Sequence, residues 1–201
     1  MSIPVLRIVY WLLFFPLFGI PVYAFFRIIT RNNQTSARAE LFNLALELFK
    51  PRILLKKVLL NPTRTSYPLR ASERFSKKYE TNYHIIDGTE YMTAKPDTEN
   101  NIHLVYLHGG AYVLGNNGVK KYESFISRLI EATASKVTFI DYPVTPESKY
   151  TQTIEKTYQV YKYLRQEYPS DRFILVGDSA GGGLALVLAQ VVAERNNCYS
   201  P

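Results

Sequence analysis

Ser179 stands in the run Gly177-Asp178-Ser179-Ala180-Gly181-Gly182. Directly before it lies the apolar stretch Phe173-Ile174-Leu175-Val176, and directly after it a helix-forming one. A serine on a sharp turn between a buried strand and a helix projects its hydroxyl above the sheet, where it can attack an acyl carbon. Small residues at Gly177 and Gly181 suit such a turn, because strand and helix backbones approach too closely for larger side chains. The helix that follows favours negative charge near its amino end. Ser179 is therefore the candidate nucleophile. A second run, His108-Gly109-Gly110-Ala111-Tyr112, follows the apolar stretch Leu104-Val105-Tyr106-Leu107. Side chains at Gly109 and Gly110 would block an approaching oxyanion, whereas bare amides can receive it. The amides of Gly109, Gly110 and Ala180 are the candidate oxyanion donors. His108 is expected to shape its turn rather than to act as a base. Asp178 adjoins the nucleophile with its side chain directed elsewhere, and Gly177 and Gly181 support the turn.

These two loops need a frame that brings them to one edge. Runs at Tyr83–Ile86 and Tyr91–Ala94, separated by Asp87-Gly88, predict an antiparallel pair. Thereafter the pattern alternates: strand Ile102–Leu107, helix Val119–Thr133, strand Lys136–Ile140, helix Thr151–Glu167, strand Arg172–Val176 and helix Leu184–Glu194. Parallel strands joined by helical crossovers are the expected arrangement, giving an α/β sheet with helices on both faces. Both candidate loops would then leave the carboxyl ends of strands.

On these residues, the stretch from about Tyr83 to Arg195 resembles the α/β-hydrolase superfamily, and within it the hormone-sensitive-lipase-like esterases. There an HGG(G/A) loop precedes a GDSAGG turn. Asp141-Tyr142-Pro143-Val144-Thr145-Pro146-Glu147 is similar to that family's D-Y-x-x-x-P-E segment. The resemblance implies a serine carboxylic-ester hydrolase that needs no cofactor. An amino-terminal anchor joined to this catalytic type is similar to fungal steryl acetyl hydrolases and animal arylacetamide deacetylases. It implies lipophilic acetyl esters such as sterol esters as substrates. The triad order in such enzymes is serine, acid, histidine. After Ser179 the chain has one acid, Glu194, and no histidine. A serine without a histidine to take its proton is a poor nucleophile. Little or no turnover is therefore expected of these 201 residues alone, which read as the front portion of a larger, truncated α/β hydrolase with an unpaired edge beside Val176. A non-catalytic, membrane-tethered relative that binds lipid or protein is the alternative.

Bulk properties narrow the partners. The chain is 47% hydrophobic and carries a net charge of +7, which supplies one core and excludes the disordered class. Much of the basic charge flanks an apolar run in the first 80 positions, a placement that argues for anionic lipid and against nucleic acid. A solvated basic face explains the same charge. The single cysteine, Cys198, excludes an internal disulfide. His84, His103 and His108 lack the spacing of a zinc site, so no metal is expected.

The apolar run is Ile8–Phe26, uncharged and long enough to span a bilayer. Tyr10, Trp11 and Tyr23 suit the interface, and Pro16, Gly19 and Pro21 are tolerated in spans. A cleaved signal peptide ending at Ala24 is the competitor. Basic residues on both sides leave orientation open, and Asn33-Gln34-Thr35 matches a glycosylation acceptor too near the span for assured use. The stretch from Ala37 to about Leu60 reads as helical and basic, suited to a membrane surface or to a cap over an active-site mouth. The expected organisation is an anchor over 1–30, a helical membrane-proximal or cap segment over 31–82, and the amino-terminal part of the hydrolase domain over 83–201. The expected location is single-pass in a membrane, that of the endoplasmic reticulum.

Overall fold

The computed structural model describes residues 20–29, 36, 39, 43, 69–98, 100–115 and 119–195. The chain divides into two compact units, Met1–Leu60 and Asn61–Pro201. In the first, helix α1 spans Ile20–Ile29, with Val22, Tyr23 and Phe25 exposed. Among the described residues no helix is long and apolar enough to cross a membrane. Most of the expected span over Ile8–Phe26, the Asn33 acceptor, and nearly all of the helical stretch from Ala37 to Leu60 lie outside the described residues.

The first described helix of the second unit is α2, Glu73–Lys78, capped by the Ser72 hydroxyl, which accepts from the Phe75 amide. Strands β1, Glu80–Ile86, and β2, Thr89–Lys95, form the expected hairpin. Its two turn residues, Asp87 and Gly88, both have positive φ, the twist that joins right-handed strands tightly. β1 starts three residues earlier than the apolar pattern suggests. It is an edge strand of the described sheet, with Glu80 exposed and Thr81 and Asn82 half-buried, so these polar residues are accommodated there.

Strand β3, Ile102–Leu107, a single 3-10 turn, Val119–Lys121, helix α3, Glu123–Thr133, strand β4, Lys136–Asp141, helix α4, Tyr150–Glu167, strand β5, Arg172–Gly177, and helix α5, Ala180–Arg195, follow among the described residues. The sheet order is β1-β2-β4-β3-β5, with β3 parallel to both β4 and β5, and β2 antiparallel to β4. Alternation along β3 divides the interior in two. Leu104 and Tyr106 join Phe139 of β4, Phe75 of α2, and Ile126 and Ile130 of α3 on one face. Val105 and Leu107 join Ile140, Val160 and Leu164 of α4, and Leu184 and Leu188 of α5 on the other. Helices thus cover both faces of a mostly parallel sheet, as expected.

This topology positions the site. From β4 the chain crosses to the far side of β3, so β3 lies between its two successors and its carboxyl end adjoins that of β5. Leu107 is in register with Gly177. β5 forms one edge of the described sheet, where Ile174 is exposed.

Candidate active site

From Leu107 and Gly177 the chain leaves two neighbouring strands at the same edge, into the His108–Tyr112 loop and the Asp178–Ala180 turn. The turn is tight enough to hold Ser179 at φ +50°. A side chain in that left-handed region costs about 1–2 kcal/mol, a strain characteristic of functional turns. Ser179 is exposed, and its hydroxyl accepts or donates no hydrogen bond among the described residues. Helix α5 starts at the next residue, earlier than helix propensity predicts for three successive glycines. The Asp178 carbonyl accepts from the amides of Gly181 at 2.8 Å and Gly182 at 3.3 Å, and these bonds draw the glycines into the first turn.

Close approach explains the small residues. A Cβ on Gly177 would stand 2.4 Å from the Gly181 carbonyl carbon and oxygen. One on Gly181 would stand 2.0 Å from the Leu107 carbonyl oxygen and 2.5 Å from that of His108. The first helical turn therefore rests directly on the end of β3, and this contact sets the separation between the serine and the glycine loop.

Asp178 directs its carboxylate across that gap. The Gly109 amide donates to its Oδ1 at 3.0 Å, and the Tyr106 hydroxyl donates to the same oxygen at 2.6 Å. Gly109 was expected to offer its amide to an oxyanion; in this arrangement an oxyanion would have to compete with Asp178 for it. The amides of Gly110 and Ala180 have no acceptor among the described residues. Gly110 has φ +135°, and its carbonyl accepts from Val113 and Leu114 in a tight turn through Ala111 and Tyr112, both at positive φ. The Tyr112 hydroxyl returns to the elbow, donating to the Ala180 carbonyl at 2.8 Å.

His108 shapes the loop from beneath. Its ring is fully buried and stacked on Tyr142 at 4.3 Å and 7°. Nδ1 lies 2.7 Å from the Gly109 carbonyl, while Nε2 stands 3.6 Å from the Asp141 carboxylate. The Tyr142 hydroxyl donates to the His108 carbonyl, and the Thr145 amide donates to that of Tyr112 at 2.8 Å. The segment after β4 is thus a platform for the loop after β3. Burial, with neighbouring acidic charge adding to it, pushes the phenols of Tyr106 and Tyr142 up, so both remain hydroxyl donors.

Sequence reasoning passed over Tyr106, Tyr112 and Tyr142 as site-builders. Their signal was available only as adjacency, since each sits within or beside a recognised motif. His84 stacks on Tyr91 and takes no part. His103, read as an ordinary strand residue, is instead buried in a polar cluster at the opposite ends of the strands. There its Nε2 contacts the Thr138 hydroxyl at 2.6 Å, its Nδ1 stands 3.4 Å from Asp171, and Lys136 lies 3.1 Å from the same carboxylate. Among the described residues no group of three or more acidic, histidine or cysteine side chains is placed to hold a metal.

Residues 104–199 match the family described as having the alpha/beta hydrolase fold. An acetyl-hydrolase of Streptomyces hygroscopicus is 35% identical over 115 residues, 53% of this chain and 38% of that protein. An acetyl esterase of Salmonella paratyphi B is 36% identical over 98 residues, 46% of this chain and 30% of that protein. Among solved structures, an esterase of Pyrobaculum calidifontis superposes with a TM-score of 0.53 at 27% identity, covering 61% of this chain and 43% of that one. The chain thus spans less than half the length of these relatives. The sheet, its helices and the two loops have the α/β-hydrolase fold.

Proposed function

We propose that this chain carries the nucleophile side of a serine carboxylic-ester hydrolase that acts on acetyl esters of lipophilic alcohols through an acyl-enzyme. The observation that carries the reading is the register of Leu107 with Gly177, which sets Ser179, at φ +50°, beside a glycine loop. In the reaction, Ser179 Oγ attacks the ester carbonyl carbon as a base removes the hydroxyl proton. The carbonyl oxygen becomes an oxyanion that the Gly110 and Ala180 amides can receive. Collapse expels the alcohol, which takes the proton, and water then releases the acid by the reverse sequence. Relatives named acetyl-hydrolase and acetyl esterase support the acyl group. The apolar run Ile8–Phe26 supports a membrane-tethered protein and, with it, a lipophilic alcohol such as a sterol.

Among the described residues no base is hydrogen-bonded to the Ser179 hydroxyl. His84, His103 and His108 are each engaged away from Ser179, and no histidine follows it in the sequence. The 201 residues alone are therefore expected to hydrolyse p-nitrophenyl acetate no faster than their Ser179→Ala variant. In a protein that joins these residues to a downstream acid and histidine, a fluorophosphonate should label Ser179, a reaction that requires an activated serine. Absence of that label would overturn the hydrolase reading and favour the non-catalytic, lipid- or protein-binding alternative. A Ser179-dependent turnover by the 201 residues alone would overturn the reading that they lack a base for Ser179.

A further inference from the structure

Asp178 is exposed overall, yet it is the most connected residue between the two loops. Its amide lies 3.4 Å from the Leu107 carbonyl at the end of β3, and its own carbonyl accepts from Gly181 and Gly182 to start α5. Its Oδ1 receives both the Gly109 amide and the Tyr106 hydroxyl. The fit leaves no slack, since a Cβ on Gly109 would stand 2.4 Å from Asp178 Oδ2. A charge-based role is unfavourable here. A carboxylate beside the point where an oxyanion develops raises the energy of that oxyanion. What the side chain can contribute is an acceptor in a fixed place.

We infer that Asp178 is a positioning residue: its carboxylate oxygen, itself held by the Tyr106 hydroxyl, clamps the Gly109 amide and so fixes the glycine turn against the elbow that bears Ser179. Among the amides without a described acceptor are the next one in that turn, Gly110, and on the elbow Ala180. Clamping the first glycine therefore sets the geometry of the second relative to Ser179. This role deepens the hydrolase reading and rests on it for its catalytic consequence. The clamp itself does not depend on turnover.

Acceptor and charge separate cleanly by substitution. Asp178→Asn retains a carbonyl oxygen with two lone pairs, enough for both the Gly109 amide and the Tyr106 hydroxyl, while it removes the charge. Asp178→Ala removes both. In a protein that joins these residues to a downstream acid and histidine, Asp178→Ala should lower kcat for p-nitrophenyl acetate by on the order of 100-fold, the consequence of a misplacement of about 1 Å at a reacting centre, with KM little changed. Asp178→Asn should stay within a few-fold of wild type in kcat. Two results would overturn the inference: Asp178→Asn as impaired as Asp178→Ala, or Asp178→Ala as active as wild type. Amide hydrogen exchange in the peptide spanning Leu107–Ala111 gives an independent reading. Exchange should accelerate in Asp178→Ala and not in Asp178→Asn, and an unchanged rate in Asp178→Ala would equally overturn the clamp. If wild type is not labelled at Ser179 and the exchange pattern still holds, the clamp stands and the hydrolase reading falls.

Discussion

Replacing Gly181 with alanine tests whether the first turn of α5 rests on the end of β3 as described. The new Cβ would lie 2.0 Å from the Leu107 carbonyl oxygen, 2.5 Å from that of His108 and 2.6 Å from the Leu107 carbonyl carbon. Ordinary contact needs about 3.5 Å, so the nearest overlap is about 1.5 Å. All three obstacles are backbone, and no rotamer change relieves them. β3 lies between β4 and β5 with both of its faces packed, so α5 has to move. Overpacking of this kind costs about 1–3 kcal/mol, here at the upper end because the neighbours are backbone. Against it stands a gain of about 1 kcal/mol in helix propensity for alanine over glycine. The clash wins by about 2 kcal/mol. Gly182, one residue on, supplies the control. Its Cβ would meet only Gly177, at 3.3 Å from the oxygen and 3.7 Å from the carbon, and the propensity gain is the same. Gly182→Ala should therefore stay within about 1 kcal/mol of wild type. Thermal unfolding followed by circular dichroism should show Gly181→Ala melting about 4–8 °C below wild type, with Gly182→Ala close to it. A Gly181→Ala protein that melts at or above Gly182→Ala would refute the contact.

Two further outcomes follow from the same geometry. Burial holds His103 well below its ordinary value, to about 4, with Lys136 and Lys95 acting in the same direction and Asp171 opposing them. The unfolded chain then takes up this proton below about pH 6.5 while the native state resists it. Stability should be complete above pH 6.5 and decline as pH falls toward 4, by up to about 3 kcal/mol. Urea unfolding across that window should show a shallower decline in His103→Gln, and an unchanged slope would exclude His103 as the titrating group. Tyr112→Phe removes the 2.8 Å bond from the hydroxyl to the Ala180 carbonyl and leaves the ring in place. A loss of about 1 kcal/mol, or about 2–4 °C in Tm, is expected by differential scanning fluorimetry. A larger fall would mean that the hydroxyl holds more than this one bond.

Much of this architecture is local, and local patterns are what a sequence displays. The alternation in Leu104–Leu107, the helical spacing in Thr151–Glu167 and the Asp87-Gly88 turn each encode their element through short-range periodicity and backbone preference. The two glycine motifs were legible for a related reason: sterics demand small residues where backbones touch, and the residue types record that demand without saying what they touch. Tertiary structure alone decided the sheet order. Whether the strand after α4 pairs with β4 or crosses back to β3 depends on helices packing on opposite faces, a non-local choice with no signature in any one segment. It is this choice that sets Gly177 beside Leu107, and with it Ser179 beside Gly109 and Gly110. The direction of individual groups was likewise beyond the sequence. Gly109 and Gly110 are the same residue type in one motif, yet the Gly109 amide goes to Asp178 and the Gly110 amide to no described acceptor. His103 and His108 both precede the serine, and only packing shows one under the glycine loop and the other at the far ends of the strands. Residue types specify which contacts are possible; the fold selects among them, because a hydrogen bond needs its partner within about 3 Å and that distance is set by elements far apart in the chain.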